Sequence, residues 1–230
     1  MGCVCTVVDM HVQRGGLGDH LVAYHDAWRE QRSIHAEVAA GARPPTLLMV
    51  EHSSVYTAGR RTSNAERAEA GVDLVEVDRG GRITWHGPGQ LVVYPIVRLR
   101  EPVDVVTYVR HLEDAVIATA AAYDITGHRV AGRSGVWVRA ADGPDRKLAA
   151  IGVRVAKGTT MHGLALNVCP DLSHFDRIVP CGISDAETTS LVRETGRALT
   201  VSAVADVLTE QLRRALAPLL APVPLETSAH

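Results

Sequence analysis

The run from Gln90 to Val97, QLVVYPIV, is apolar at nearly every position, so neither of its faces suits water. It is too short for a typical helix and is preceded by glycines, and it reads as a strand buried on both faces of a sheet. Directly before it stand Arg79-Gly80-Gly81-Arg82-Ile83-Thr84-Trp85-His86-Gly87-Pro88-Gly89-Gln90, with four glycines and one proline in twelve residues. Glycine lets a backbone approach a ligand closely and present its N–H groups. Arg79 and Arg82 supply positive charge for an anion, and Thr84 and His86 supply directed polar groups. A tight turn between two strands accounts for the glycines alone; it does not account for basic, hydroxyl and imidazole groups gathered in the same place.

Around this segment the periodicity predicts further elements. Leu21, Tyr24, Trp28, Gln31 and Val38 fall near helical spacing, giving a helix over about 20–40 that Pro44-Pro45 ends. Short apolar runs predict strands at Thr46–Val50 and Leu74–Val77. Asp104 caps a helix bearing Val105, Tyr108, Val109, Leu112 and Val116. Three strands follow, Gly135–Arg139, Leu148–Val155 and Thr160–Val168. Ser184-x-x-Glu187 has the capping-box pattern for a short helix ending near Gly196. Thr200 opens a last helix with Val201, Val204, Leu208, Leu212 and Leu219 on one face, and the tail after Pro222 is expected to be mobile. Strands and helices interleave without regular alternation, and neither Gly-x-Gly-x-x-Gly nor a Walker sequence occurs. The expected fold is mixed α/β (α+β), a single domain over 1–230 with a central mixed sheet and its core within about 20–219.

The 24 basic and 26 acidic residues nearly cancel, which argues against nucleic acid as a partner. No apolar stretch is long enough to span a membrane and no secretory signal is evident, so a cytoplasmic protein without a membrane partner is expected. The four cysteines, Cys3, Cys5, Cys169 and Cys181, fit neither a disulfide framework nor a zinc site.

Cys181 lies in Val179-Pro180-Cys181-Gly182, just before the capping-box pattern, where a helix N-terminus would favour a thiolate. Its residues alone leave it open between a buried structural thiol and a nucleophile. A nucleophilic thiol needs a partner, and the candidates are His52, His86, His162 and Lys147. Twenty-two of the 24 basic residues are arginine, so Lys147 and Lys157 stand out as the two with a transferable proton. His162 shares strand parity with Leu164, Leu166 and Val168 and reads as a core histidine. The opposite parity, Gly163, Ala165 and Asn167, is small, as a wall beside a ligand would be.

The segment from Arg79 to Gln90, followed by Tyr94-Pro95, resembles the signature of lipoyl(octanoyl) transferases, also called lipoate-protein ligase B. Supporting blocks occur in the family's order: Glu51 to Gly59, Gly132 to Trp137, Lys147 to Gly152, His162-Gly163 with Asn167, and Pro180-Cys181-Gly182. The resemblance implies the fold of biotin and lipoate protein ligases. It also implies transfer of octanoyl from acyl carrier protein to a lysine of lipoyl domains, in 2-oxo acid dehydrogenase complexes and the glycine cleavage H protein. In that reading Cys181 carries the acyl group as a thioester and Lys147 completes a dyad, with His52 and His162 in support. The acyl group is held by Arg79, Gly80, Gly81, Arg82, Ile83, Thr84, Trp85 and His86, by Ala150, Ile151 and Gly152, and by Gly163, Leu164 and Ala165. Neither ATP nor a metal is expected, because exchange between thioesters is nearly balanced in energy. Arg60, Arg61, Arg79 and Arg82 are expected to form a docking rim for acidic partners.

Overall fold

The computed structural model describes residues 10–178 and 187–222. Cys181, Ser184 of the capping-box pattern and the tail from residue 223 lie outside them. In chain order the elements are β1 (His11–Gly15), α1 (Tyr24–Ala39), β2 (Thr46–Val50), β3 (Val55–Ala58), α2 (Asn64–Ala70), β4 (Leu74–Glu76) and β5 (Ile83–His86). They continue with β6 (Gln90–Ile96), α3 (Val105–Ala121), β7 (Gly127–Val130), β8 (Arg133–Val138), β9 (Arg146–Ala156) and β10 (Thr159–Asn167). After a 3-10 turn at Leu172–Arg177 come β11 (Glu187–Thr188), α4 (Leu191–Thr195) and α5 (Val201–Leu216).

The large sheet runs β1-β2-β6-β10-β9-β8-β7, with β11 added beside β9. The β1–β2 and β9–β11 pairs are parallel and the others antiparallel, so the sheet is mixed as expected. β6 sits inside it, and all seven of its residues are buried. One face packs against α3 and α5 through Leu91, Val93, Leu112, Leu166 and Leu208; the other packs against α1 through Ile34, Val92, Tyr94 and Ala165. A second sheet, β4-β3-β5, has its own apolar cluster around Tyr56, Ile83, Trp85 and Phe175.

Three sequence expectations are corrected. Glu187 is a strand residue paired with Arg146, and the helix that follows is capped by Ser190, whose hydroxyl accepts from the Arg193 N–H. Strand addition to β9 wins over the capping-box pattern there, and the helix starts ten residues after Cys181. Leu21 and Val105 are exposed, because α1 begins only at Tyr24 and Val105 occupies the first turn of α3, ahead of its packed face.

The third concerns His162, whose φ of 56° interrupts the alternation of β10. Its ring therefore lies on the α1 face, with centroids 6.3 Å from Trp28 and 6.4 Å from Tyr94, while Leu164 and Leu166 face α3 and α5. Strand parity assumes extended backbone at every residue, and one left-handed residue turns its side chain across the sheet.

Candidate acyl-binding site

A cavity lies between the large sheet and the small one. Its lining includes Tyr24, Arg79, Gly81, Arg82, Thr84 and His86, together with Val92, Tyr94, Ala150 to Gly152 and His162 to Ala165. It holds about 460 Å³ of empty space, its mouth included. The pairing explains its floor. Ala165 stands beside Ala150 on β9 and Val92 on β6, and Gly163 stands beside Gly152. These small residues on one face of three adjacent strands leave a trough where larger side chains would fill the space.

The roof comes from the glycine-rich segment. Along β5, Thr84 and His86 face the cavity, while Ile83 and Trp85 turn into the small sheet's own cluster. Trp85 stacks on His174 at 4.5 Å and donates from Nε1 to Ser54. The segment meets the floor at Gly152: a Cβ there would stand 2.8 Å from the Gly80 oxygen and 3.2 Å from Arg79 Cδ. Gly80 does not line the cavity; its N–H donates to Val153 O on β9.

Arg79 is buried, so it leaves the docking rim expected from sequence. Its Nη2 donates to the carbonyl and hydroxyl oxygens of Thr57, and its Nη1 to Gly80 O. Arg82 is half exposed and paired with Glu66, and Arg60 and Arg61 are exposed.

The polar groups of the cavity are tied to one another. His52 is fully buried just behind it. Its Nδ1–H donates to Val22 O at 2.9 Å, so Nε2 accepts from the Tyr94 hydroxyl at 2.7 Å. Burial pushes the His52 pKa down to about 4, against the Val22 carbonyl, which favours the protonated ring. His86 stacks on Tyr24 and donates from Nδ1 to Gln90 Oε1 at 2.7 Å. Burial, then the neighbouring His52 and the Arg79 charge, push its pKa down to about 3. His162 bonds through Nε2 to Asp78 at 2.6 Å, and Asp78 also pairs with Arg154. The hydrogen bond from His162 leads the causes that lower the Asp78 pKa to about 2, while burial holds the His162 pKa below its ordinary value. Burial raises the Tyr24 pKa to about 12 and holds that of Tyr94 well above its ordinary value. At neutral pH the ring groups facing the cavity are uncharged.

Lys147 is buried three residues before Ala150 on β9, outside the cavity lining. The β8–β9 register shifts between Val136 and Trp137, pairing Trp137 with Lys147 and leaving Leu148 without a partner on β8. Such a bulge re-aims a side chain. Here Lys147 Nζ stands 5.1 Å over the Trp137 ring. Gly135, with φ 122°, makes room: a Cβ there would meet Lys147 Cε at 3.0 Å and Ala149 O at 2.4 Å. Thr188 pairs with Lys147, and the Thr189 N–H donates to Lys147 O. A chain of side-chain bonds joins the two regions: His86 to Gln90, Gln90 Nε2 to Asn167 Oδ1, and Asn167 Nδ2 to Thr189 O.

Sequence reasoning missed Tyr24 and Asp78 and gave Gln90 and Tyr94 no role; of the expected small wall, Gly163 and Ala165 line the cavity, whereas Asn167 stands outside it, bonded to Gln90 and Thr189. Asp78 directly precedes Arg79, and that adjacency was the one signal available for it; Tyr24 reads only as part of a helix face. Among the described residues no group of three or more His, Cys, Asp or Glu is placed to hold a metal ion. Nor is any helix there long and apolar enough to cross a membrane.

The architecture is shared with solved lipoate-protein ligases. A bipartite lipoate protein ligase from Thermoplasma acidophilum superposes with a TM-score of 0.65 at 14% identity, over 90% of this chain and 84% of that one. A lipoate-protein ligase A bound with ATP gives 0.60 at 15% identity, over 90% and 86%. Those likenesses define the class of fold. At the level of sequence, residues 23–213 match the family model of the lipoyl protein ligase A/B catalytic domain. Octanoyltransferases of Clavibacter sepedonicus and Acidothermus cellulolyticus are 57% and 54% identical, over 87% and 86% of this chain and 88% and 90% of theirs. The octanoyltransferase of Salinispora tropica is 51% identical over 93% of this chain and 99% of its own. The chain belongs to the lipoyl protein ligase A/B catalytic-domain family, as an acyltransferase of its octanoyltransferase group.

Proposed function

We propose that this protein transfers octanoyl from the phosphopantetheine thioester of acyl carrier protein to a lysine of lipoyl domains, through a thioester on Cys181 with Lys147 as its partner. The acceptors are lipoyl domains of 2-oxo acid dehydrogenase complexes and the glycine cleavage H protein. The observation that carries this reading is the pairing of Glu187 and Thr188 with Arg146 and Lys147. Glu187 is six residues after Cys181, and six residues span at most about 20 Å. The thiol is thereby tethered to the strand that bears Lys147 and then, at Ala150 to Gly152, walls an apolar cavity.

Cys181 thiolate attacks the octanoyl carbonyl carbon, the carbon–sulfur bond to the carrier breaks, and the carrier thiolate takes up a proton as it leaves. Lys147 as ammonium stabilises the Cys181 thiolate, and once neutral it accepts a proton. In the second half the acceptor lysine amine attacks the Cys181 thioester, an amide forms, and Cys181 leaves as thiolate while the amine loses its proton. The acyl chain lies in the trough floored by Ala150, Gly152, Gly163 and Ala165 and roofed by Arg79, Gly81, Arg82, Thr84 and His86. Neither ATP nor a metal enters, and the exchange proceeds in the cytoplasm.

Intact-mass spectrometry after mixing with octanoyl-acyl carrier protein tests this. One octanoyl group should appear on the wild type, be absent from Cys181→Ser and form slowly on Lys147→Ala. Apo-lipoyl domain should discharge it. An adduct that survives in Cys181→Ser would refute the assignment of the nucleophile.

A further inference from the structure

We infer that His162, clamped by Asp78 and backed by Trp28, is the end stop that sets the length of acyl chain this protein accepts. The inference rests on the acyl-transfer reading above and adds to it the residue that determines specificity.

The sheet register supplies the ruler. Lys147, Ala150, Gly152 and Val153 follow one another along β9, and their neighbours on β10 run from Ala165 beside Ala150 to His162 beside Val153. The cavity therefore has a near end towards Lys147 and a far end at His162. Ala150 to Val153 is three residues, about 10 Å at the usual strand rise. Seven carbon–carbon bonds of an extended octanoyl chain span roughly 9 Å. A chain that enters from the Lys147 end meets His162 with its terminal methyl group.

Several features make His162 a wall. Its left-handed backbone throws the ring into the trough, where an extended residue at that position would point at α3. The ring cannot swing away freely, because Nε2 is bonded to Asp78, while the backbone N–H of His162 donates to Gln31 Oε1 and fixes the left-handed residue against α1. Asp78 is in turn paired with Arg154 and immediately precedes Arg79, so the stop and the roof share one anchor. Trp28 stands behind the ring and is itself covered by the Arg32 guanidinium at 4.1 Å. Finally, His162 Nδ1, Gln31 Nε2 and Trp28 Nε1 are buried without a hydrogen-bond partner.

The test is the ratio of kcat/KM for dodecanoyl- over octanoyl-acyl carrier protein, with decanoyl as the intermediate arm. His162→Asn keeps a residue that tolerates the left-handed conformation and shortens the side chain. The ratio should rise at least about tenfold, with decanoyl in between, since pocket discrimination per methylene is of that order. Trp28→Ala, which gives the ring room to retreat, should shift the ratio in the same direction by less, and it serves if His162→Asn fails to fold. A merely structural role for His162 would lower kcat/KM for all lengths alike and leave the ratio where it was, and that result would overturn the inference. Wild-type protein that transfers no acyl group of any length would instead overturn the functional reading beneath it.

Discussion

Two histidines buried neutral beside the cavity make the fold acid-sensitive in a specific pH window. His52 has no exposed surface, and burial lowers its pKa from 6.5 to about 4. The unfolded chain therefore binds a proton at this position at higher pH than the folded one does. The stability contributed by keeping His52 neutral is present above about pH 6.5 and is lost as pH falls towards the folded value. At pH 5 the loss from this one side chain is about 2 kcal/mol. Asp78, whose lowered pKa lies near 2, loses its contribution only below the ordinary aspartate value of 3.8, so it does not confuse the window above pH 5. Urea unfolding at pH 7.5 and pH 5 should be measured for the wild type and for His52→Gln. The variant loses some stability at both pH values, because the Val22 and Tyr94 contacts change, and that loss cancels in the pH difference. The wild type should lose about 2 kcal/mol more on acidification than the variant, close to 1 M in urea midpoint for an m-value of about 2 kcal/mol/M. Equal losses in the two proteins would show that His52 is charged or solvated in the folded state, and the account of a neutral cavity would be wrong.

Gly152→Ala should raise KM for the acyl donor and cost about 1–3 kcal/mol in chemical denaturation, because the new methyl would strike the Gly80 oxygen and Arg79. Glu113 is fully buried on α3, pairs with Arg110 and Arg129, and accepts the N–H of Gly135, the glycine against which Lys147 lies. Glu113→Ala should cost about 3 kcal/mol by urea unfolding, and Glu113→Gln should recover part of that by keeping an acceptor for Gly135. Thr200→Ala removes the side-chain acceptor for the Ala203 N–H at the start of α5 and should cost about 1 kcal/mol, with little change in acyl-transfer kinetics.

Much of the architecture follows from periodicity. The double-sided burial of β6, the Asp104 cap of α3 and the inward alternation of Ile151, Val153 and Val155 towards the core shared with α3 and α5 all depend on regular backbone, which residue pattern reports directly. The small residues of β10 were recognisable as a cavity wall for the same reason. What pattern could not report were departures from regularity: the left-handed His162, the bulge that aims Lys147 at Trp137, and the strand that replaces a capping box at Glu187. Arg79 was misread differently. In sequence a charged residue in a glycine-rich segment looks like surface, and only Thr57, twenty-two positions away, supplies the oxygens that let it be buried.

Those departures and that buried cation belong to one design. On the proposed function the cavity takes an apolar chain and has to be dry, yet acyl transfer at its mouth would need polar groups, and bare polar groups in a dry cavity are costly. The conflict is eased by giving many of these polar groups a partner in the wall: Arg79 with Thr57, His52 with Val22 and Tyr94, His86 with Gln90, Asp78 with His162 and Arg154. Lys147 lies outside the lining, against the Trp137 ring. The arrangement holds only while the rings stay neutral. Protonating His52 would leave its Nε2 donating towards a hydroxyl that now has to turn round, at a ring with no exposed surface. The dryness that suits the cavity to an acyl chain and the acid sensitivity of the fold are therefore the same property, and a substitution that relieves one should relieve the other.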